Sequence, residues 1–242
     1  MTYAIVAKCA KTGQFGVGIS TYSPRVGATC PMVVPNRGAL AFQCVPSPDL
    51  RDYAAELLSK GVSADGVLAE LERIDRFWQK RQVALVDSSG HVAAFTGSEA
   101  PATAEHRLGK GFAVAGNVVT KACVGDATAG FEEVRAADLP LAEKLMRALE
   151  AGARSGGQEE GLTSAALIVY DRYAFPIVDL RVDVHQTPVI ELRKVWEFYR
   201  PLTDFYIQRN LDPTGLGRWW QARMDLCPDW KPVHFGGRIP QQ

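Results

Sequence analysis

The chain has 242 residues, 47% of them hydrophobic, so it is long enough for one large domain or two small ones with a packed core. Lysine plus arginine and aspartate plus glutamate number 27 each, which argues against nucleic acid or an anionic membrane as partner, because phosphate binding needs a basic excess. The chain has no apolar run of the roughly 18 residues that span a bilayer and no signal-peptide layout at its start, so a cytoplasmic protein is expected.

Short β-branched runs and pairs of helical patterns alternate along the chain, separated by turn signals. In chain order the sequence predicts strands at 3–9, 13–22 and 38–45, helices at 47–61 and 63–80, a hairpin at 81–97, a strand at 111–119, helices at 122–137 and 139–157, strands at 162–171 and 177–185, and a helix at 188–210. Ser47 and Ser63 are the predicted N-caps of the first helix pair, and Pro201 is expected to bend or break the last helix.

Strands joined as hairpins favour antiparallel sheets over a parallel βαβ arrangement, and paired helices suggest layers outside two stacked sheets. We therefore predict one α+β domain over residues 1–210. Residues 211–242 are rich in proline, glycine and tryptophan, with "GRWWQ" at 217–221. They are expected to form an irregular extension that packs on the domain or on a partner subunit of a homodimer or higher homo-oligomer, since Trp and Arg are enriched at interfaces.

Common cofactor and metal motifs do not occur in the sequence. The five cysteines form no Cys-x-x-Cys pair and the four histidines have no metal-ligand spacing, so no metal is expected. The chain has no P-loop, no dinucleotide fingerprint and no Gly-x-Ser-x-Gly elbow, so no cofactor is expected either.

The chain opens with "MTYAIVAKC", so a threonine follows the initiator methionine and leads directly into a strand. A threonine hydroxyl is a weak nucleophile without a base, but a free α-amino group on the same residue supplies one, once Met1 is removed. The plainer interpretation is a strand-starting Thr2 with no chemical role. A cysteine nucleophile at Cys44 or Cys9 is a further alternative, although thiols in apolar strands are usually structural.

Other polar residues occupy positions that suit either structure or chemistry. Gln43 interrupts an apolar strand, Arg81 begins one where an ion pair with a helix end is the simpler interpretation, and Asn117 ends one as a turn residue or an oxyanion donor. Four residues near 180 alternate on one face, which is either the solvent side of an edge strand or a charged pocket: Asp179, Arg181, Asp183 and His185.

Several segments together resemble the domain-of-unknown-function family 1028, which is regarded as Ntn-hydrolase-like: "MTYAIVAKCAKTGQFGVGIS", "GALAFQC", "RQVALVDSSGHVAAFTG", "GFAVAGNVV" and "VDLRVDVHQTPVIELRKV". The resemblance covers the chain from Met1 to about Val195. It implies a four-layer αββα sandwich with two antiparallel sheets and an N-terminal nucleophile, which here is Thr2. The opening also looks like a proteasome β-subunit, but Ser20-Thr21 and Gln43 stand where that site has an aspartate and a lysine.

The leading hypothesis is thus an N-terminal-threonine hydrolase that cuts a small or cyclic amide through an acyl-enzyme. Thr2 is the expected nucleophile and base, with Asn117 as oxyanion donor. Two groups of residues are expected to orient the site or bind substrate: Ser20, Gln43 and Arg81, and the charged residues Asp179, Arg181, Asp183 and His185. The alternatives are a non-catalytic binding or assembly protein on the same scaffold, and a cysteine hydrolase that acts through Cys44.

Overall fold

The computed structural model describes residues 1–101, 103–158, 160–215 and 224–228. The chain divides into two compact units, Met1–Lys194 and Val195–Gln242. The predicted "GRWWQ" segment and most of the predicted C-terminal extension lie outside the described residues.

Two antiparallel sheets form the centre of the first unit. The six-stranded sheet has the order β10-β9-β2-β1-β8-β7, and β1 lies in its interior between β2 and β8. Its strands are β1 (Thr2–Lys8), β2 (Phe15–Thr21), β7 (Glu105–Gly109), β8 (Phe112–Asn117), β9 (Ser164–Tyr170) and β10 (Pro176–Val182). The four-stranded sheet has the order β3-β4-β5-β6, with β3 (Pro31–Val34), β4 (Gly38–Cys44), β5 (Arg81–Asp87) and β6 (Val92–Thr96).

Helices cover the outer face of each sheet. The four-stranded sheet packs against α2 (Pro48–Ser59) and α3 (Ala64–Ile74), and the six-stranded sheet against α4 (Cys123–Arg135) and α5 (Leu141–Arg154). A four-residue helix, α1 (Val26–Thr29), connects β2 to β3, and α6 (Pro188–Tyr199) follows β10. The predicted α+β fold, a four-layer αββα sandwich with two antiparallel sheets, is confirmed.

Small and β-branched side chains fill the space between the two sheets. Ala4 and Val6 of β1 meet Ala39 and Ala41 of β4 in this inner core, where every member is buried. Small side chains let the two sheets approach closely, since interiors are packed to crystal-like density. The outer face of the six-stranded sheet is equally tight: a Cβ on Gly16 would lie 2.7 Å from Leu145 Cδ1 of α5.

Local sequence signals explain where the first helix pair begins. The side chain of Ser47 accepts a hydrogen bond from the Leu50 N–H at 3.5 Å, and that of Ser63 accepts one from the Gly66 N–H at 3.3 Å. Both predicted N-caps are therefore confirmed. The second helix ends at Ile74, short of the predicted boundary at residue 80, because the Asp75 carboxylate accepts the Phe77 N–H at 2.9 Å and starts a turn.

Three elements were not predicted from the sequence: α1, β3 and β7. The helix and β3 have four residues each, too few for a periodic pattern. The strand β7 lies at the edge of its sheet and is mostly polar or exposed, so it lacks an apolar signal.

The second unit begins within α6 and consists of short helices over its described part. A 3-10 turn at Arg200–Leu202 separates α6 from α7 (Thr203–Leu211), so the predicted break at Pro201 is confirmed. The rings of Tyr199 and Tyr206 stack across this break with centroids 5.6 Å apart. No helix in the described ranges is long and apolar enough to cross a membrane.

Candidate active site

Thr2 is the first residue of β1, the strand that lies between β2 and β8. It pairs with Asn117 of β8, and the alternation of β1 directs its side chain toward the inner core, on the same face as Ala4 and Val6. Only 5% of Thr2 is exposed, whereas Met1 is half-buried, so Thr2 is the first residue of the chain that is fully enclosed.

Two hydroxyl groups meet at this point. The Oγ1 atoms of Thr2 and Thr21 lie 3.1 Å apart, and each hydroxyl is within hydrogen-bonding reach of the Met1 carbonyl oxygen. The hydroxyls therefore surround the peptide bond between Met1 and Thr2, which must be cut before Thr2 has a free amine.

The amino group at the start of the chain is perturbed by its surroundings. Burial lowers the pKa of the Met1 α-amine below its ordinary value, against smaller opposing contributions from Cys44, Cys30 and Glu160. Burial disfavours the charged ammonium, so this environment favours a neutral amine, the form that accepts a proton.

Three buried amide side chains lie between the sheets beside Thr2. Gln82 Oε1 accepts hydrogen bonds from Gln43 Nε2 at 2.7 Å and from Asn117 Nδ2 at 2.9 Å. Gln82 Nε2 donates to the backbone oxygens of Gly116 and Glu105 at 3.0 and 3.1 Å. These three residues, here called the amide cluster, form a buried hydrogen-bond network that connects β4, β5 and β8 beside the N-terminus.

Some polar atoms near Thr2 lack a hydrogen-bond partner within the part of the chain that the structure describes. In the amide cluster these atoms are Gln43 Oε1 and Asn117 Oδ1, both on fully buried residues. A third is Nε2 of Gln158. Its Oε1 accepts the N–H of Tyr22, the residue after β2, and its backbone forms a bridge to Val119, two residues after β8. Buried polar groups are normally paired, so these two acceptors and one donor have unused hydrogen-bonding capacity within the described chain.

The sequence comparison decides the family. The model of the family of unknown function DUF1028 matches residues 2–192, most of the chain. The chain belongs to this family. Among curated proteins, none matches it by sequence.

Solved structures resemble this DUF1028 chain to different degrees. Protein SPO2555 from Silicibacter pomeroyi, also a DUF1028 protein, is 28% identical with a TM-score of 0.74, over 82% of this chain and 88% of that one. Anbu (ancestral beta-subunit) from Yersinia bercovieri is 12% identical with a TM-score of 0.42, over 85% of this chain and 97% of that one. An Anbu mutant from Hyphomicrobium sp. strain MC1 is 13% identical with a TM-score of 0.41, over 86% of this chain and 100% of that one.

The backbone of the DUF1028 chain is strained next to the amide cluster. Cys44 directly follows Gln43 and has φ 78°, while Val118 directly follows Asn117 and has φ 51°. Positive φ is costly for residues with a Cβ, and most of all for a β-branched one. Each strained residue therefore lies directly after a strand residue whose side chain belongs to the amide cluster. Backbone strain of this kind concentrates at functional sites.

The thiols nearest the N-terminus are Cys30 and Cys44. Burial raises the pKa of both thiols above the ordinary value, more than the nearby amine lowers it. Both are therefore protonated thiols at neutral pH, which does not favour Cys44 as the nucleophile.

Two further residues predicted for the site lie away from Thr2. Ser20 is on the outer face of β2, and its hydroxyl donates to the Ser164 carbonyl at 2.9 Å. Arg81 forms a buried ion pair with Asp75 at the end of α3, with Nε and Oδ2 2.7 Å apart, and also donates to the Val45 carbonyl. This is the ion pair with a helix end that the simpler interpretation of Arg81 predicted.

The four charged residues near 180 follow the outermost strand of the six-stranded sheet. Asp179 and Arg181 are exposed on β10, and Asp183 and His185 lie beyond its end. Since β10 is three strands from β1, these side chains start roughly 14 Å from Thr2, at about 4.8 Å per strand. The structure therefore does not bring them to Thr2, and their placement matches the solvent side of an edge strand.

Three residues of the site were not among the predicted site residues: Thr21, Gln82 and Gln158. Thr21 and Gln82 are polar residues at the ends of apolar strands, the same signal that identified Gln43 and Asn117. Gln158 is in an irregular segment after α5, where the sequence contains no pattern that indicates burial.

Proposed function

We propose that this DUF1028 protein is an N-terminal-threonine amide hydrolase of the Ntn type that acts on a small or cyclic amide. The observation that supports the proposal most is the position of Thr2, which is buried at the start of β1 beside the Thr21 hydroxyl and the amide cluster. Among the described residues, the side chains that contact or pair with Thr2 are those of Thr21 and Asn117, which are uncharged, so the α-amine is the group proposed to accept the proton.

The first chemical step requires that Met1 has been removed. The neutral Thr2 amine then takes the proton of the Thr2 hydroxyl, and Oγ1 attacks the substrate carbonyl carbon to form a tetrahedral oxyanion. Burial lowers the pKa of the Met1 amine, and because Thr2 is itself buried, we expect burial to act in the same direction on the Thr2 amine once it is free.

Collapse of the tetrahedral intermediate completes acylation. The Thr2 ammonium gives its proton to the leaving nitrogen as the C–N bond breaks, which leaves an ester on Oγ1. Water then attacks the ester with the amine again as base, and the carboxylic acid leaves. The second N–H of Asn117 Nδ2 is the proposed oxyanion donor, because its first N–H is held by Gln82. Such a donor contributes about 3–4 kcal/mol.

The unpartnered atoms around Thr2 support a small polar amide as substrate. Gln43 Oε1 and Asn117 Oδ1 accept hydrogen bonds, and Gln158 Nε2 donates one, so together they complement a molecule with both N–H and C=O groups. A lactam, an imide or a ureide has this combination. An analogue without N–H groups leaves two buried acceptors unpaired and binds more weakly.

A non-catalytic binding protein on the same scaffold is the second candidate. Two features favour it. Thr2 is buried and still joined to Met1, and Gln43 and Thr21 stand where proteasome-like sites have a lysine and an aspartate. In this case the same small amide binds but is not cleaved.

The test begins with the intact mass of the protein, which reports whether Met1 is removed. Acylation of Thr2 by a β-lactone probe, followed by peptide mass spectrometry, then measures its reactivity without a known substrate. A screen of small linear and cyclic amides measures turnover. Thr2→Ala is expected to abolish acylation and turnover with an unchanged circular dichroism spectrum, and Thr12→Ala, in the exposed first hairpin turn, is the matched control.

The two candidates give different results. Retained Met1 together with unreacted Thr2, but measurable binding of an amide, supports the binding protein. Turnover that survives Thr2→Ala rejects the threonine mechanism, and inactivation by a thiol reagent in that variant identifies a cysteine hydrolase instead.

A further inference from the structure

A cavity lies at the end of β1 opposite Thr2. It is a cleft of about 570 Å³ between the hairpin turn after β1, the turn between β7 and β8, and the connection from α4 to α5. This is the size of a typical small-molecule site. We call it the basic cleft, because its lining includes Lys8, Lys11, Lys110, Arg135 and Lys144. The seven residues of β1 separate it from Thr2 by roughly 20 Å.

The charge of the basic cleft is one-sided. Five of its lining residues are cationic and none of the described residues that line it is acidic, in a chain with equal numbers of basic and acidic residues. Lys11 and Arg135 have carboxylate partners just outside the cleft, Asp138 at 2.6 Å and Glu132 at 2.8 Å. Lys8 donates to the Ser88 carbonyl at 2.7 Å and has no ion-pair partner within the described ranges. Lys8, Lys110 and Lys144 have no ion-pair partner in the described ranges, and they give the cleft a positive charge that attracts anions.

Lys144 is the buried cation of the cleft, only 5% exposed. Its ammonium donates one recorded hydrogen bond, to the Arg135 carbonyl at 2.8 Å. An ammonium has three N–H donors, so two are available to a ligand. Buried lysines are rare unless paired, because desolvation of the charge is unfavourable, and an anion in the cleft supplies the missing counter-charge.

The thiol of Cys9 lines the same cleft, and the charge of Lys144 is one of the influences that lower its pKa. Burial opposes ionisation, but hydrogen bonds from Thr12 and from the Lys11 N–H, together with the charge of Lys144, outweigh it and lower the pKa of the Cys9 thiol. This contrasts with Cys30 and Cys44 at the other end of the sandwich, where burial raises the pKa.

We propose that the basic cleft binds a small organic anion, a carboxylate or a phosphate ester with an apolar body. The anionic group lies against Lys144 and the Lys8–Lys110 side, and the apolar body packs on Phe131 and Leu141, which also line the cleft. The site is separate from Thr2 and does not depend on the proposed hydrolase.

Phenyl phosphate and benzoate are suitable probes, with benzyl alcohol as their neutral counterpart. Binding to the full chain is measured by isothermal titration calorimetry at low salt, and the ratio of the two anion affinities tells a phosphate ligand from a carboxylate. Both anions are expected to bind and the alcohol is not. Lys144→Met is expected to weaken anion binding at least ~10-fold, because it removes one hydrogen bond from a buried charged group. Lys110→Ala is expected to weaken it about 2- to 5-fold, because an exposed ion pair contributes less.

Lys60→Ala is the matched control, because it removes an exposed lysine directly after α2 whose ion-pair partner in the described chain is Glu56. Alkylation of Cys9 by iodoacetamide gives a readout that needs no variant: bound anion is expected to slow it at Cys9 and not at Cys227. If Lys144→Met fails to fold, Lys110→Ala and the Cys9 protection decide. The proposal is wrong if neither anion binds at 10 mM, if benzyl alcohol binds as well as the anions, or if Lys60→Ala weakens binding as much as the cleft variants do.

Discussion

Replacing Gln82 with methionine tests whether the amide cluster is the polar framework of the site. Gln82 is fully buried, and its Oε1 accepts from Gln43 and Asn117. The two N–H groups of its Nε2 are shared among three acceptors, Thr96 Oγ1 at 2.9 Å and two backbone carbonyls. Methionine keeps the length of the side chain but has neither a strong donor nor a strong acceptor. The variant therefore removes every one of these bonds with little change in volume.

The expected cost follows from which partners are left unpaired. Gln43 Nε2 keeps the Ala115 carbonyl at 3.2 Å, and Thr96 keeps His106 at 2.8 Å, but the Asn117 amide loses its recorded acceptor inside the protein. A net hydrogen bond contributes about 1 kcal/mol, and a buried donor left unpaired costs a further 1–3 kcal/mol. Gln82→Met should therefore lower the free energy of unfolding by about 4 kcal/mol.

Gln43→Met is the matched comparison. It breaks only two hydrogen bonds and also removes Gln43 Oε1, an acceptor without a partner in the described chain, so the expected cost is about 1 kcal/mol. Guanidinium chloride unfolding followed by circular dichroism measures both variants. Equal costs for the two substitutions would refute the inference that Gln82 is the centre of the cluster.

Three further perturbations test single features of the site and its support. Thr21→Val removes the hydroxyl 3.1 Å from Thr2 Oγ1 and is expected to slow β-lactone acylation of Thr2 about tenfold, whereas Thr21→Ser should keep the rate. Burial opposes ionisation of Asp75, but hydrogen bonds from Arg81 and the Phe77 N–H outweigh it and lower the pKa of Asp75. Its carboxylate therefore stabilises the fold above pH ~4, and that contribution is lost as the pH falls through the lowered pKa. Asp75→Asn should then cost about 2 kcal/mol at pH 7 and progressively less in acid, and a cost independent of pH contradicts this. Val118→Asn should raise the stability by about 1 kcal/mol, because asparagine adopts φ 51° more easily than valine, and an unchanged melting temperature means that the position is not strained.

Features set by neighbouring residues were predictable from the sequence. Ser47 and Ser63 begin helices because each hydroxyl reaches an N–H within its own first turn. The first hairpin turn was predictable because Gly13 adopts φ 77°, which few other residues tolerate. Such contacts lie within a few positions of each other in the chain, and a sequence pattern records them directly.

Features set by strand register were not predictable. Gln43 and Asn117 were recognised as polar interruptions of apolar strands, but their common partner Gln82 depends on how β4, β5 and β8 align across two sheets. Ser20 and Thr21 show the same limit: a shift of one residue along β2 moves a side chain from the outer face to the inner one, so the hydroxyl beside Thr2 is that of Thr21.

The charges on β10 have a consequence for how the molecule behaves at high concentration. The outermost strand of a sheet is the edge to which a strand from another molecule can add. Asp179 and Arg181 project from β10 at alternate positions and are exposed to solvent. A strand that approached this edge would have to strip water from both charges, which is unfavourable. The exposed charges of Asp179 and Arg181 therefore disfavour the addition of another molecule's strand beside them, which opposes edge-to-edge aggregation.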